Sequence, residues 1–376
     1  MTDTEKLLRE LIALPSVNPA FRSPNDPRAG EGRVADFVAV TAARAGLDIR
    51  FQKVLPGRSN LLATLSPPGK VKQRLLLAPH LDTVDVVSEN QFVPRTANGR
   101  IHGRGACDDK GAVAAMLTAL SRLARQGPRP AATEIVFAGL VDEENAQAGS
   151  RALAAGGFRA DLAIVGEPTR LQIVTAHKGS LWLRLETHGK AAHGSCPHLG
   201  KNAVHEMARI VDLLQTGYAR RLLLRRHPLL GAPTINVGFI QGGTQPNIVP
   251  AFCLAVADRR TLPGETEPAV RAEMSAWLRR HGLRATLTSD KTSVCPPLET
   301  DPRLPLVQQF LSVARQKKPA GANYFCDAAV LAQGGIPSVV FGPGDIAQAH
   351  TADEWISQKS LEAATALLLK FLRTMP

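Results

Sequence analysis

RLLLAPHLDTV, residues 74–84, joins an uninterrupted apolar run to a polar pair, His80 and Asp82. Three further segments contain a similar apolar run: EIVFAGL (134–140), DLAIVG (161–166) and PSVVFG (337–342). Such runs are typical of strands that are covered on both faces, as in a mostly parallel sheet. Helical segments alternate with these runs, and residues 111–123 and the tail 360–372 are predicted to be helices that pack on the sheet. The sequence therefore predicts an α/β fold with a mostly parallel sheet.

The middle of the chain has a different pattern. Residues 180–186 alternate between leucine and other residues, which is typical of a half-buried strand. The elements predicted after it are, in order, a helix at 201–214, strands at 234–240 and 252–257, a helix at 265–280 and a strand at 284–288. This β-α-β-β-α-β order is that of ferredoxin-like domains. We therefore predict an inserted ferredoxin-like α/β domain at 180–290, within a larger domain formed by residues 1–179 and 291–376.

The chain is basic, with 45 Lys and Arg against 33 Asp and Glu and a net charge of +12. The basic residues are spread along the sequence, and aromatic residues make up only 5%, too few for a base-stacking surface. We therefore expect no nucleic-acid partner, and the charge would instead attract anionic small substrates.

The sequence also bears on location. No apolar stretch is long enough to span a bilayer, and the polar N-terminal residues do not resemble a secretory signal. The five cysteines are scattered and form no CxxC pair. These features predict reduced thiols, a cytoplasmic protein and no membrane partner.

Several common functional motifs do not fit. HGRGAC (102–107) lacks the third glycine of a dinucleotide-binding fingerprint and is followed by acidic residues. Gly200-Lys201 precedes Asn202, so it is not a Walker A loop, and no G-x-S-x-G elbow occurs. Cys107 lies beside carboxylates that would raise the pKa of its thiol, which argues against a nucleophile.

Polar residues follow the apolar runs at their carboxyl-terminal ends, the edge where open α/β sheets bind ligands. They are His80 and Asp82, then Asp142, Glu143 and Glu144, then Glu167, and finally His350; Asp108 and Asp109 follow a glycine-rich stretch. Each group alone has a structural alternative: a turn, a solvated helix N-terminus or a surface histidine. Their combination favours a divalent-metal site with nitrogen and oxygen ligands.

Seven motifs together resemble one family, the metallohydrolases that include acetylornithine deacetylase, succinyl-diaminopimelate desuccinylase, aminoacylase and carboxypeptidase G. They are PHLDTV (79–84), GRGACDDKG (103–111), DEENAQAGS (142–150), GEPT (166–169), AAHGSCPHLGKNA (191–203), PNIVPAFCLAVADRR (246–260) and FGPGDIAQAHTADEW (341–355). They occur in the family's order and extend over nearly the whole chain.

The resemblance implies two divalent metal ions, Zn²⁺ first and Co²⁺ or Mn²⁺ as alternatives, that share Asp108. His80 and Glu167 would complete one site, and Glu144 and His350 the other.

The resemblance also assigns roles around the metals. Asp82 would orient His80, as carboxylates next to metal-binding histidines commonly do, and Glu143 would be the general base. Asp109 would be a neighbour rather than a ligand, and the Asp108–Asp109 peptide bond is expected to be cis.

The inserted domain would be a lid and dimerisation domain of a homodimer. His193 would polarise the scissile carbonyl, while Asn247 and Arg260 would bind substrate. Strand alternation places Arg259 and Arg260 on opposite faces, and we expect Arg260 to face the cleft and Arg259 the solvent. The family often has a small hydroxyl residue where Cys326 stands, before Asp327, so that position departs from the pattern.

These assignments predict a metal-dependent amidohydrolase that cleaves the amide bond of an N-acyl amino acid by metal-activated water, in the manner of acetylornithine deacetylase. A di- or carboxypeptidase and a desuccinylase are alternatives within the family. A catalytically inactive binding homologue is the alternative outside it, although the complete set of ligands argues against it.

Overall fold

The structure is a computed structural model that describes residues 1–23, 25–291 and 293–376. The chain divides into two compact units. Unit 1 comprises Met1–Thr175, Thr300–Ala320 and Cys326–Pro376, and unit 2 comprises Ala176–Glu299 and Gly321–Phe325. Unit 2 therefore extends beyond the predicted segment 180–290, because short strands at both of its ends pair with each other.

The elements in chain order are as follows. The helices are α1 (Asp3–Ile12), α2 (Gly32–Arg44), α3 (Lys110–Arg125), α4 (Ala148–Ala155), α5 (Ala203–Leu213), α6 (Ala219–Leu222), α7 (Glu267–Arg280), α8 (Pro305–Val313), α9 (Asp327–Gln333) and α10 (Gln358–Leu372). The strands are β1 (Asp48–Leu55), β2 (Arg58–Leu65), β3 (Gln73–Ala78), β4 (Arg95–Ala97), β5 (Arg100–His102), β6 (Thr133–Gly139), β7 (Leu162–Val165), β8 (Val174–His177), β9 (Gly179–His188), β10 (Thr234–Gly242), β11 (Phe252–Thr261), β12 (Thr286–Ser289), β13 (Leu298–Glu299), β14 (Ala320–Ala322), β15 (Ser338–Val340) and β16 (Trp355–Ser357).

The main sheet of unit 1 has the order β1-β2-β6-β3-β7-β15. Its centre is parallel, since β3 pairs in parallel with both β6 and β7, and β15 pairs in parallel with β7. These four central strands lie at the four apolar runs, and their side chains are almost entirely buried. The predicted α/β class and the parallel arrangement are confirmed.

The sheet also has an antiparallel margin that the sequence analysis did not identify. β1 and β2 form a hairpin, and β2 pairs antiparallel with β6. Gly57 permits the turn, because its φ of 70° lies in the left-handed region. No apolar run marks this margin in the sequence, because β1 is an edge strand whose mixed polar and apolar residues are largely exposed.

Helix α3 is the most deeply buried helix of unit 1, with nearly every residue from Lys110 to Leu120 inaccessible to solvent. Helices α1 and α10 both pack against it. Helix α1 starts with a capping box, in which Thr2 and Glu5 satisfy each other's backbone N–H groups. None of the helices in the described part of the chain has the length and apolar character needed to cross a membrane.

Unit 2 contains a four-stranded sheet of order β10-β11-β9-β12, with every pairing antiparallel. Together with α5 and α7 this is the predicted β-α-β-β-α-β arrangement. The helix predicted at 201–214 is longer than expected, since α5 continues through a π-helical turn, Leu214–Tyr218, into α6. Unit 2 has an apolar core of its own, which includes Leu183, Met207 and Met274.

Candidate metal centre

The ends of the central strands place the acidic residues of unit 1 close together. His80 lies two residues after β3, and its backbone bridges to Leu140, just beyond β6. The backbone N–H of Gly166, which precedes Glu167 at the end of β7, donates to Ala78 at the end of β3. Three neighbouring strands therefore deliver their polar residues to one edge of the sheet, as the sequence pattern predicted.

Two groups of possible metal ligands occur at this edge among the residues that the structure describes. One contains His80, Asp108 and Glu167, and the other contains Asp108, Glu144 and His350. Within each group, one ligand atom from each residue lies within 4.8 Å of the others. These are the five residues that the sequence analysis put forward as ligands, divided in the same way.

Asp108 belongs to both groups because its two oxygens point in different directions. Oδ1 lies 2.9 Å from Nε2 of His80, and Oδ2 lies 3.4 Å from Nε2 of His350. The same His350 nitrogen lies 3.2 Å from Oε2 of Glu144. A carboxylate arranged in this way can bind one cation through each oxygen.

The charges of this cluster are strongly coupled. Burial would lower the pKa of His80, but hydrogen bonds to Asp108 and Asp82 raise it well above its usual value. Hydrogen bonds to Asp108 and Glu144 raise the pKa of His350 to about 10. Burial raises the pKa of Glu167 well above its usual range, and the neighbouring charge of Asp108 adds to the effect. The cluster therefore favours positive charge between its carboxylates.

The residues present fit a pair of divalent cations. In the metal-free chain the two histidines bring positive charge to the carboxylates, and a divalent cation would compensate the same negative charge more fully. The donors are imidazole nitrogens and carboxylate oxygens, the set that suits zinc and similar divalent metals. Nδ1 of His80 lies 3.0 Å from the backbone oxygen of Asp82, a contact that leaves Nε2 oriented toward Asp108.

Asp82 fixes the segment that carries Glu143 and Glu144. Its Oδ1 accepts the backbone N–H of Glu143 and its Oδ2 accepts that of Glu144, both at 3.1 Å. Its carboxylate lies farther from the ring of His80, with Oδ1 3.5 Å from Nδ1. Asp82 was predicted to orient His80, whereas its hydrogen bonds to the acidic segment were not predicted.

Asn18 is a buried residue of the site that the sequence analysis missed. Its Nδ2 donates to Oδ2 of Asp82 at 2.7 Å and to Oδ1 of Asp142 at 3.1 Å. It thereby places a donor between two carboxylates that would otherwise repel each other. The only signal in the sequence was the polar turn that follows α1, and such turns are common without any such role.

Arg58 and Glu31 support the same segment from the other side. The guanidinium of Arg58 pairs with Glu31 at 2.5 Å and with Asp142 at 2.9 Å. The carboxylate of Glu31 also accepts the backbone N–H of Asp142 at 3.1 Å. Partners this distant in sequence could not be paired from spacing alone.

Asp109 is completely buried and belongs to neither ligand group. Its Oδ2 accepts the backbone N–H of His80 at 3.3 Å, and the peptide bond between Asp108 and Asp109 is cis. Gly166 is required beside it, because a Cβ there would come within 2.4 Å of that same oxygen.

The Cys326-Asp327 pair lies close enough to the acidic cluster for the charges of that cluster to affect the pKa values of both side chains. Burial raises the pKa of the Cys326 thiol well above its usual range, and Glu167 adds to the effect. Burial also raises the pKa of Asp327 to about 7, although Ser150 donates a hydrogen bond to it at 2.5 Å. Burial likewise raises the pKa of the Cys107 thiol, which agrees with the argument against a nucleophilic role.

His193 and Asn247 lie together in unit 2. His193 forms a backbone bridge with Ile248, and the N–H of Gly194 donates to the carbonyl of Asn247 at 2.7 Å. Both side chains belong to exposed residues, and Nδ1 of His193 lies 2.7 Å from Oγ of Ser195. Two distant motifs therefore meet on the surface of this unit.

The two arginines at the end of β11 differ from the expectation. Arg259 does not face solvent: it is completely buried and pairs with Glu265 at 2.7 Å. Arg260 is the partly exposed one, and its Nε lies 2.9 Å from Oδ2 of Asp258. Alternation was correct, but the face opposite Arg260 is the interior of unit 2, where an acidic partner offsets the cost of burial.

The model of peptidase family M20/M25/M40 matches residues 76–374 of this sequence. An acetylornithine deacetylase of Proteus mirabilis is 32% identical over 387 aligned positions, which cover 96% of this chain and 94% of that protein.

Two solved structures have the same fold. An M20 family metallo-carboxypeptidase of Sulfolobus solfataricus superposes with a TM-score of 0.78 at 20% identity, and the match covers 100% of both chains. The YXEP protein of Bacillus subtilis, described as a dinuclear metal-binding peptidase of the M20 family, has a TM-score of 0.71 at 14% identity, with 98% of this chain and 96% of that chain covered.

The first testable prediction concerns Asn18. Asn18→Leu removes the donor between Asp82 and Asp142, which we expect to lower the free energy of unfolding of the metal-free protein by about 2–3 kcal/mol. Urea unfolding in the presence of a chelator measures the change. Asn90→Leu, at an exposed asparagine, is the matched control and should stay within about 0.5 kcal/mol of the wild type. Equal unfolding midpoints for the two variants would contradict the assigned role.

Proposed function

This chain belongs to peptidase family M20/M25/M40, a family of amide-bond hydrolases, and from that premise we propose that it hydrolyses the amide bond of a small N-acyl amino acid. The observation that carries the proposal is the pair of ligand groups that share Asp108 at the edge of the sheet. The similarity to acetylornithine deacetylases over nearly the whole chain supports an acetylated amino acid as the first substrate to test.

We propose that His80, Asp108 and Glu167 hold one metal ion, and that Asp108, Glu144 and His350 hold the other. Zn²⁺ is the metal we propose, because two imidazoles among carboxylates suit it. Bound there, the cations would act as Lewis acids that polarise the substrate carbonyl and make water more acidic.

Glu143 is the proposed general base. Its backbone is fixed by Asp82, immediately beside the ligand Glu144. Burial raises the pKa of Glu143 well above its usual value in the metal-free chain. A group of this kind can take a proton from the attacking water and deliver it to the leaving amine.

Unit 2 is proposed to act as the lid and dimerisation domain. His193 would polarise the scissile carbonyl, and Asn247 and Arg260 would bind the substrate. The guanidinium of Arg260 suits the free carboxylate of an N-acyl amino acid, since it can donate two parallel hydrogen bonds. Strand β10 lies at an edge of its sheet and has exposed apolar residues, Phe239 and Ile240, as expected for a surface that a second subunit covers.

We also propose a cytoplasmic location. Cys107, Cys196, Cys253 and Cys326 are free thiols, which suits a reducing compartment.

The direct test of the reaction is a panel of acetyl-, succinyl- and formyl-amino acids together with dipeptides, assayed with zinc or cobalt supplied. We expect the acyl amino acids to be hydrolysed faster than any dipeptide. Preferential cleavage of dipeptides would instead identify a peptidase, and no turnover of any compound would support a binding homologue.

The second prediction separates the base from the ligand. Glu143→Gln keeps the shape of the side chain but removes the base, so kcat should fall by about 10²–10⁴-fold while both metals remain bound. Glu144→Gln should instead lower the metal content toward one ion per chain. Metal analysis after dialysis, alongside initial rates, measures both effects. Metal loss in Glu143→Gln with retention in Glu144→Gln would show that the two roles are reversed.

The third prediction concerns Arg260. Arg260→Ala should lower kcat/KM for an acyl amino acid, with a loss of about 2–4 kcal/mol of transition-state binding, because a charge-paired contact is lost. The defect should nearly disappear for the corresponding amide, which has no carboxylate to bind. Equal losses on the acid and the amide would mean that Arg260 supports the fold through its pairing with Asp258.

The fourth prediction tests the dimer. Light scattering should give twice the mass of one chain. His193→Ala and Glu143→Ala should each be inactive alone, but their mixture should regain activity if His193 serves the metal centre of a second subunit. A monomer at working concentration would rule out the dimer, and a dimer without recovery would place His193 in its own subunit's site.

A further inference from the structure

Glu354 is a buried carboxylate four residues after His350, and it lies outside both ligand groups. Its carboxylate accepts four hydrogen bonds: from Nη1 of Arg104 at 2.7 Å, and from the backbone N–H groups of Gly105 at 2.9 Å, Cys107 at 2.8 Å and Asp108 at 3.0 Å. Its own backbone oxygen accepts the N–H of Gly103 at 3.0 Å. One residue therefore binds the whole segment that leads into the shared ligand Asp108.

The fold explains why these residues meet. Strand β16 begins at Trp355, directly after Glu354, and pairs antiparallel with β5, which ends directly before Gly103. Trp355 pairs with His102. The two segments that leave this small sheet therefore lie side by side, and one contains Asp108 while the other contains His350.

The hydrogen bonds of Glu354 define the position of the backbone at Asp108. A carboxylate with charged and backbone donors at 2.7–3.0 Å has a defined position, because charge-assisted hydrogen bonds are short and strong. The donor from Asp108 is its own N–H, so the carboxylate of Glu354 lies beside the backbone from which the ligand side chain extends.

We propose that Glu354 is a positioning residue for both metal sites, because it holds the backbone of Asp108, the ligand that the two groups share, beside the segment that contains His350. This inference rests on the proposed function, in which Asp108 and His350 are metal ligands. Because Asp108 belongs to both groups, loss of Glu354 should weaken both sites, whereas loss of Glu144 should weaken only one.

The test uses cobalt, which reports occupancy and coordination through its visible absorption. Metal-free wild type, Glu354→Gln, Glu354→Asp and Glu144→Gln are titrated with Co²⁺ by calorimetry and by absorption spectroscopy. Gln in place of Glu354 directs an NH₂ group at N–H donors, so it cannot accept all four hydrogen bonds. We expect two ions per wild-type chain, and for Glu354→Gln a loss of affinity of about 10–100-fold at both sites with an altered spectrum.

Asp353→Asn is the matched control. It removes one negative charge from the adjacent residue of the same segment, where Asp353 is exposed and contacts His102. We expect its cobalt affinity and spectrum to equal those of the wild type. We also expect kcat of Glu354→Gln to fall more than its KM changes, because ligand position affects the reaction more than substrate binding.

Several outcomes would overturn the inference. The Glu354→Gln variant could be less stable to heat and still bind two cobalt ions with wild-type affinity and spectrum. That result would show that Glu354 has a structural role only. If Glu354→Gln does not fold, Glu354→Asp decides: it keeps the charge but withdraws the carboxylate, and wild-type cobalt binding in that variant would equally refute the positioning role. A wild-type chain that takes up no cobalt would overturn the proposed function as well, so the two failures are distinguishable.

Discussion

The repulsion among carboxylates at one edge of the parallel sheet is the constraint on which the rest of the site depends. The acidic side chains gathered there are Asp82, Asp108, Asp109, Asp142, Glu143, Glu144 and Glu167. Buried charges of one sign are costly unless donors or cations compensate them. The surrounding residues are best understood as that compensation: His80 and His350 contact Asp108, while Asn18 and Arg58 contact the acidic residues farther from it.

Two buried carboxylates outside the ligand groups serve the backbone in the same way. Asp82 accepts the N–H groups of Glu143 and Glu144, and Glu354 accepts those of Gly105, Cys107 and Asp108. Each of these two carboxylates is distant in sequence from the segment whose N–H groups it accepts. The segments that contain the candidate ligands Asp108 and Glu144 are therefore held through their backbone. Ligand side chains that extend from fixed backbone need less reorganisation when a cation binds.

In unit 2, a buried charge is compensated by an ion pair. Arg259 is completely buried on the core face of its sheet, and Glu265 supplies the opposite charge. Arg260, the next residue, points to the other face and is only partly buried. The alternation of a strand thus gives adjacent arginines two environments, one within the core and one partly exposed to solvent.

The sequence by itself determined the α/β class, the inserted β-α-β-β-α-β order and the gathering of His80, Asp108, Glu144, Glu167 and His350 with other polar residues at one edge of the sheet. These properties follow from local patterns: apolar runs mark buried strands, and the carboxyl ends of parallel strands necessarily meet at one edge. The resemblance of the motifs then selected five of these residues as metal ligands and assigned the other roles.

Only the tertiary structure decided which residues support those ligands. Asn18 contacts Asp82 across 64 positions, Arg58 contacts Asp142 across 84, and Glu354 contacts Arg104 across 250. The hairpin of β1 and β2 and the burial of Arg259 were also beyond the sequence pattern. The physical reason is the same in each case: whether a polar side chain is buried, and which donor satisfies it, depends on packing between segments far apart in the chain, and local periodicity carries no information about those contacts.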